Sequence, residues 1–204
     1  MTTGDTREKF AISEDVVSPS WTAGMSPEGL GEHRDIFEKL REKIRDKCGR
    51  NPNYALFNIY RDGRDNITWH ADNMEGVQEG SSIYSLSFGA ERRFQYRPYV
   101  PGYRGRTESY PVLTTVIANN ALLVMGPQTN EFWCHCVPVE EGMEKERVNI
   151  TFRFLKKYEG AWVVPEDGIG TANYKRLELK FNSFKKGEHP IFDNPTFLKM
   201  QPIQ

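Results

Sequence analysis

Arg147-Val148-Asn149-Ile150-Thr151-Phe152-Arg153 alternates apolar and polar residues without a break. Successive side chains on an extended strand point to opposite faces, so Val148, Ile150 and Phe152 share one face and Arg147, Asn149, Thr151 and Arg153 the other. One strand of this kind is explained by a face in water. Tyr54-Ala-Leu-Phe-Asn-Ile-Tyr60 repeats the pattern, however, with Phe57 and Ile59 opposed to Asn58 and Tyr60. Two strands that turn Asn with Tyr or Arg to one side point to a polar-lined cavity. Arg147 and Arg153 stand at opposite ends of it, since six residues of strand span about 20 Å at about 3.3 Å each. They cannot grip one carboxylate group together, and a guanidinium fork at either end is a natural anchor for a diacid.

Outward from these two strands, period-two patterning recurs over 82–88, 92–99, 113–118, 121–125 and 132–139, and the final strand extends over 147–155. Asp62-Gly63, Glu79-Gly80, Pro101-Gly102, Asn119-Asn120, Gly126-Pro127 and Glu141-Gly142 supply turn chemistry between them. The spacing predicts a mainly β domain, a two-sheet sandwich or jelly roll. Before it, Ser26-Pro27-Glu28 gives a helix-start order, and Ile36, Phe37, Leu40 and Ile44 recur at helical spacing up to Cys48 and Gly49. An N-terminal amphipathic helix is therefore expected to brace one sheet. Residues 1–31 read as a loosely ordered arm or partial lid, 32–158 as the domain, and 159–204 as a Lys-rich extension. Within that extension, Tyr174-Lys-Arg-Leu-Glu-Leu-Lys-Phe181 is a candidate edge strand.

The composition fits one globular domain: 204 residues, 38% apolar and 27% charged. No run approaches the roughly 18 apolar residues of a membrane helix, and the first residues lack a signal-peptide core. Cys48, Cys134 and Cys136 are too few for a disulfide framework, which fits an intracellular setting. The 27 basic residues nearly cancel the 28 acidic ones, so binding to a polyanion must rest on a local patch. A near-neutral chain of this kind is compatible with a monomer.

Trp69-His70-Ala71-Asp72 sets an imidazole and a carboxylate two residues apart, on one side of an extended segment. In Phe132-Trp-Cys-His-Cys-Val-Pro138, alternation sends Cys134 and Cys136 away from His135, as small core residues rather than co-ligands. His70, Asp72 and His135 would make a two-histidine, one-carboxylate set, which leaves three positions open on an octahedral iron. His33 and His189 sit among charges and in the tail, and read as surface residues.

Taken in order, Asn58-Ile-Tyr60, Trp69-His-Ala-Asp72, Ser85-Leu-Ser-Phe-Gly-Ala-Glu-Arg92-Arg-Phe94, Trp133-Cys-His135-Cys-Val-Pro138 and Arg147 to Arg153 resemble the AlkB-like Fe(II)- and 2-oxoglutarate-dependent dioxygenases. The likeness runs from about Leu56 to Phe154. It implies a double-stranded β-helix, a cupin-like jelly roll, with iron held by His70, Asp72 and His135. It further implies that Arg147 binds the distal carboxylate of 2-oxoglutarate, with Asn58, Tyr60, Asn149 and Arg153 completing that site. By family chemistry, iron and dioxygen convert 2-oxoglutarate to succinate while a substrate C–H bond is oxidised. Where that carbon is bonded to nitrogen, the product releases an aldehyde.

For substrate, the resemblance implies N-alkylated bases in single-stranded or flipped-out nucleic acid. Arg92, Arg93, Arg97, Arg104 and Arg106 fall within fifteen residues that contain no acid, interleaved with aromatics, a mixture that suits phosphates and stacked bases. Trp69 and Trp133 flank the expected iron ligands as candidate walls of the site. Two departures stand out. Asn73-Met74-Glu75 follows Asp72 where nucleic-acid repair members carry an acidic pair, leaving Glu75 as the candidate base contact, and residues 1–53 lack the family's Pro-Arg and aromatic-Gly motif. These departures motivate an alternative, a small-molecule oxygenase acting on an amino acid or natural product. A third reading is a jelly-roll binding module without catalysis.

Overall fold

The β3 strand (Tyr54–Tyr60), β10 (Arg147–Arg153) and β5 (Ile83–Gly89) lie side by side and antiparallel, with Asn149 opposite both Asn58 and Ser87. The register aligns the apolar positions on one face and the polar ones on the other. The computed structural model describes residues 5–13, 24–25, 34–74, 76–98, 112–156 and 198–202. Around the three central strands, β8 (Ala121–Met125) and β11 (Leu198–Pro202) extend the sheet on one side. On the other side it is extended by β1 (Glu8–Ser13) and β2 (Gly24–Met25), giving the order β11-β8-β5-β10-β3-β1-β2. A second sheet has the order β4-β9-β6-β7, built from Ile67–His70, Trp133–Val137, Arg92–Pro98 and Leu113–Ile117. Face to face, the two sheets form the expected jelly roll.

Helix α1 (Arg34–Cys48) covers the outer face of the larger sheet. Phe37 and Ile44 are buried there, with Leu40 and Cys48 partly buried, against Ala55, Leu86, Leu122, Ile150 and Phe152. Phe37 stacks on Phe152 at 6.1 Å between ring centroids. Ile36, expected on the same stripe, is instead 60% exposed, because it sits one residue off the line through positions 37, 40, 44 and 48. Gly49 closes the helix with φ of 81° and its N–H returned to the Arg45 carbonyl at 2.7 Å.

Between the sheets, Tyr60, Ile83, Leu123 and Met125 meet Ile67, Phe94, Ile117 and Val137. This core supports one end of the interior. The connection from β3 to β4 is pinned at Gly63, whose N–H and C=O pair with Met143 and Glu140; a Cβ there would meet the Glu140 carbonyl oxygen at 1.9 Å. Beside it, Arg92 is an internal peg, 1% exposed, donating to the carbonyls of Asp62, Asp65 and Pro138.

Several short elements depart from the patterns read in the sequence, among them β2 and β11, which lie outside every strand read there. Glu8–Ser13, expected within a loose arm, form β1 and bury Ala11 and Ile12 in the domain; six residues with two charges are too short a run to declare a strand by alternation. Ile67–His70 form the short β4, and 127–132 form a one-and-a-half-turn helix, α2 (Pro127–Phe132), ahead of β9. The candidate strand 174–181, like His33 and His189, lies outside the described residues. Among the described residues, no helix is long and apolar enough to cross a membrane.

Candidate active site

The polar faces of β3, β5 and β10 look across the interior at β4 and β9, and one cavity is lined from both sides. On the larger sheet it is walled by Asn58, Tyr60, Ser85, Arg147, Asn149, Thr151 and Arg153, and on the smaller by Ile67, Phe94, His135 and Val137, with His70, Asp72 and Arg7 at the margin. Eight residues singled out in the sequence thus converge on one space. The reason is register: strand alternation selects the face, and the pairing of Arg147 with Tyr60 and of Asn149 with Asn58 stacks the polar positions in rows.

His70 and His135 are cross-strand partners on β4 and β9, their rings 4.3 Å apart between centroids. Asp72 follows β4 and approaches both imidazoles, with Oδ1 at 3.4 Å from His70 Nε2 and 3.7 Å from His135 Nε2. Ligand atoms of the three residues all lie within 4.8 Å of one another. His70 Nδ1 donates to the Thr68 carbonyl at 2.7 Å, which turns Nε2 toward the cluster. His135 is stacked on Phe94 at 5.2 Å, and burial, reinforced by the nearby His70, pushes its pKa down to about 3. It is a neutral imidazole at neutral pH.

Burial opposes the negative charge on Asp72, but the Arg153 guanidinium beside it outweighs burial and holds the carboxyl well below its usual range. Arg153 Nη2 donates to Asp72 Oδ2 at 2.7 Å, leaving Oδ1 toward the histidines. The Asp72 backbone is fixed by Asn130 of α2, which accepts from its N–H at 2.8 Å and donates to its carbonyl at 3.0 Å. Two imidazoles and a carboxylate on one side of a cavity fit a divalent iron with open positions. Cys134 and Cys136 stand on the opposite face of β9, their thiols held protonated by burial at a pKa of about 11.

Across the cavity, Arg147 is 2% exposed and has no carboxylate within ion-pair distance among the described residues. Its Nη2 donates to Ser87 Oγ at 2.9 Å and its guanidinium lies 5.0 Å over the Tyr60 ring, while Nε and Nη1 have no hydrogen-bond partner among the described residues. Burial lowers its pKa and raises that of Tyr60. A buried cation with unused donors is costly by itself and calls for an anionic ligand. Asn149 Nδ2 donates to Ser85 Oγ at 2.7 Å and to the Leu86 carbonyl at 3.1 Å, and Thr151 Oγ1 donates to Asn149 Oδ1 at 3.1 Å.

A family model described as the 2OG-Fe(II) oxygenase superfamily matches residues 12–153. The chain belongs to the 2OG-Fe(II) oxygenase superfamily. Its jelly roll, its His70, Asp72 and His135 cluster and the cation at the far end of the cavity suit the two requirements in that name, ferrous iron and 2-oxoglutarate. It is 35% identical over 118 residues to the DNA oxidative demethylase ALKBH2 of Mus musculus, covering 58% of this chain and 49% of that protein. It is 33% identical over 119 residues to the alpha-ketoglutarate-dependent dioxygenase alkB homolog 3 of Homo sapiens, covering 58% and 42%. The chain thus spans about half the length, or less, of these curated relatives. A solved structure titled "The structure of OsALKBH1" superposes at a TM-score of 0.36 and 17% identity, over 65% of this chain and 66% of its own.

The residues expected to contact substrate fare differently from the rest. Arg92 is withdrawn from any ligand by its three carbonyl partners and is a structural residue. Arg93 lies on the outer face of β6, its backbone N–H and guanidinium both directed to Glu140. Arg97 shares that outer face and stacks 4.1 Å over Trp69, because each is one residue away from an inward position. Trp133 is buried against Tyr96 at 5.7 Å. None of these five residues lines the cavity. Glu75, Arg104 and Arg106 lie outside the described residues.

Sequence reasoning missed Arg7, Ser85, Ser87, Thr68 and Asn130. The two serines were legible, since Ser85-Leu86-Ser87 carries the same alternation as β3 and β10. Arg7 and Asn130 carry no such mark, because each reaches the site from outside the patterned strands.

Proposed function

We propose that this chain is an oxygenase that uses ferrous iron, 2-oxoglutarate and dioxygen to dealkylate N-alkylated bases in DNA or RNA. In this reading His70, Asp72 and His135 hold the iron, and Arg147 holds the distal carboxylate of 2-oxoglutarate beside Tyr60. Asn58, Asn149 and Arg153 complete the cosubstrate site at its other end. The single observation that carries the reading is the pairing, in one cavity, of the His70, Asp72 and His135 donors with a buried arginine that has no carboxylate partner among the described residues.

When bound, the iron would supply the oxidation of a C–H bond by dioxygen, coupled to conversion of 2-oxoglutarate to succinate and carbon dioxide. The residues of the chain do the positioning. Arg153 turns Oδ1 of Asp72 toward the histidines, Thr68 fixes the tautomer of His70, and Phe94 backs His135. Ile67, Val137 and Met125 supply apolar parts of the cavity lining. A hydroxylated N-methyl carbon leaves as formaldehyde, restoring the base.

Nucleic acid is favoured as substrate by the 35% identity to a protein named a DNA oxidative demethylase. A small-molecule substrate is the second reading, favoured by the absence of Trp69, Arg92, Arg93, Arg97 and Trp133 from the cavity wall. An intracellular setting is supported by three free cysteines. Succinate and formaldehyde should be measured with iron, 2-oxoglutarate and N-methylated single-stranded oligonucleotide, alongside a mixture of amino acids and metabolites. The proposal expects formaldehyde with the oligonucleotide alone, lost in His135→Ala. Succinate coupled to a metabolite instead would transfer the activity to the second reading.

A further inference from the structure

We infer that Arg7 is a positioning residue for the cosubstrate, acting by fixing which end of the Asn58 amide faces the cavity; the inference rests on the oxygenase reading above. Arg7 immediately precedes β1, level with Tyr60 across the β1–β3 pairing, and its side chain is 6% exposed at the cavity margin. It precedes residue 12, where the match to the family begins.

Arg7 Nε donates to Asn58 Oδ1 at 2.8 Å. A guanidinium has donors only, so Asn58 must present its oxygen to Arg7 and its Nδ2 to the other side. There Nδ2 reaches Asn149 Oδ1 at 3.4 Å, a long contact that a ligand can replace at little cost. A carboxylate or keto oxygen only accepts, so the cavity needs Nδ2, and the reversed amide would repel it.

Arg7 is itself held from the other sheet. Its Nη1 lies 2.9 Å from Asp5 Oδ2, and Asp5 Oδ1 accepts from the backbone N–H of Thr68 at 3.1 Å. Thr6 adds bonds to Asn66 at 3.2 Å. Asp5 to Arg7 therefore clasp the two sheets together at the cavity margin and deliver a fixed donor to Asn58.

The test is calorimetric titration of 2-oxoglutarate into the manganese(II)-loaded full chain, with no turnover required. Arg7→Met keeps the shape without a donor, while Arg7→Gln places an amide N–H where Nε stood, without the charge. Arg7→Met should weaken 2-oxoglutarate binding about tenfold, the effect of losing one hydrogen bond to an ionised group, and Arg7→Gln by no more than about threefold. Manganese affinity should stay within about twofold in both, and in an Asn58→Ala background Arg7→Met should have no further effect. Unchanged 2-oxoglutarate affinity in Arg7→Met, an equal loss in Arg7→Gln, or a tenfold loss that persists without Asn58 would each overturn the inference. Absence of 2-oxoglutarate binding in the unmodified chain would instead overturn the oxygenase reading on which it rests.

Discussion

The two walls of the cavity are built in opposite ways. On the larger sheet, Asn58, Ser85, Ser87, Arg147, Asn149, Thr151 and Arg153 all stand on regular, paired strands, all are buried, and the face behind them is sealed by α1. On the smaller sheet, pairing between β4 and β9 is interrupted between Ile67 and His70, Asp72 stands on no strand, and α2 supplies its backbone partner. The first wall is held by the core of the protein. The second is held by a few individual hydrogen bonds, so damage to it should reach the metal before it reaches the fold.

The largest effect separating the walls is expected behind the first. Phe152 is 1% exposed and stacks on Phe37, so Phe152→Ala should lower unfolding free energy by about 3–5 kcal/mol, read from the urea midpoint. On the second wall, Asn130→Ala should cost roughly 10–100-fold in ferrous iron affinity, as lost support for a metal ligand does, with less than about 2 kcal/mol of stability lost by the metal-free protein. A fall in stability with unaltered iron affinity would erase the distinction.

The same contrast governed what could be read in advance. Alternation at 54–60 and 147–153 marked two of the three strands of the first wall and the inward direction of the polar residues on them, because regular strands convert sequence parity directly into geometry. His70, Asp72 and His135 were identifiable as a set, but β4 and α2 were not, since four and six residues carry too little period to register. Arg92 illustrates the opposite failure. Within a basic, aromatic stretch it reads as a ligand contact, yet three backbone carbonyls brought together by tertiary packing claim it.

A smaller effect tests the buried cation. Arg147→Met removes a charge that has no carboxylate partner among the described residues, and should raise the stability of the ligand-free protein by about 1–2 kcal/mol, measured by thermal or urea unfolding. A loss of stability would mean that Arg147 holds the fold rather than waits for an anion.

The smallest concerns the connection between the walls. Arg61 grips Asp65 with Nε and Nη2 at 2.8 Å each, and this pairing, against some opposition from burial, lowers the Asp65 pKa to about 2. A carboxyl depressed on folding stabilises above its unfolded pKa near 4, and that contribution is lost as pH falls toward 2. Because Arg61 is largely in solvent, Asp65→Asn should cost only about 1 kcal/mol at neutral pH, and should flatten the stability profile between pH 4 and 2.

The most direct test of two separately built halves is an anaerobic titration of ferrous iron and then 2-oxoglutarate into the unmodified chain, Asp72→Ala and Arg147→Met. The account predicts that the unmodified chain binds both, that Asp72→Ala loses the iron, and that Arg147→Met keeps the iron and loses 2-oxoglutarate. Iron binding that survives in Asp72→Ala, or 2-oxoglutarate affinity that survives in Arg147→Met, would contradict it.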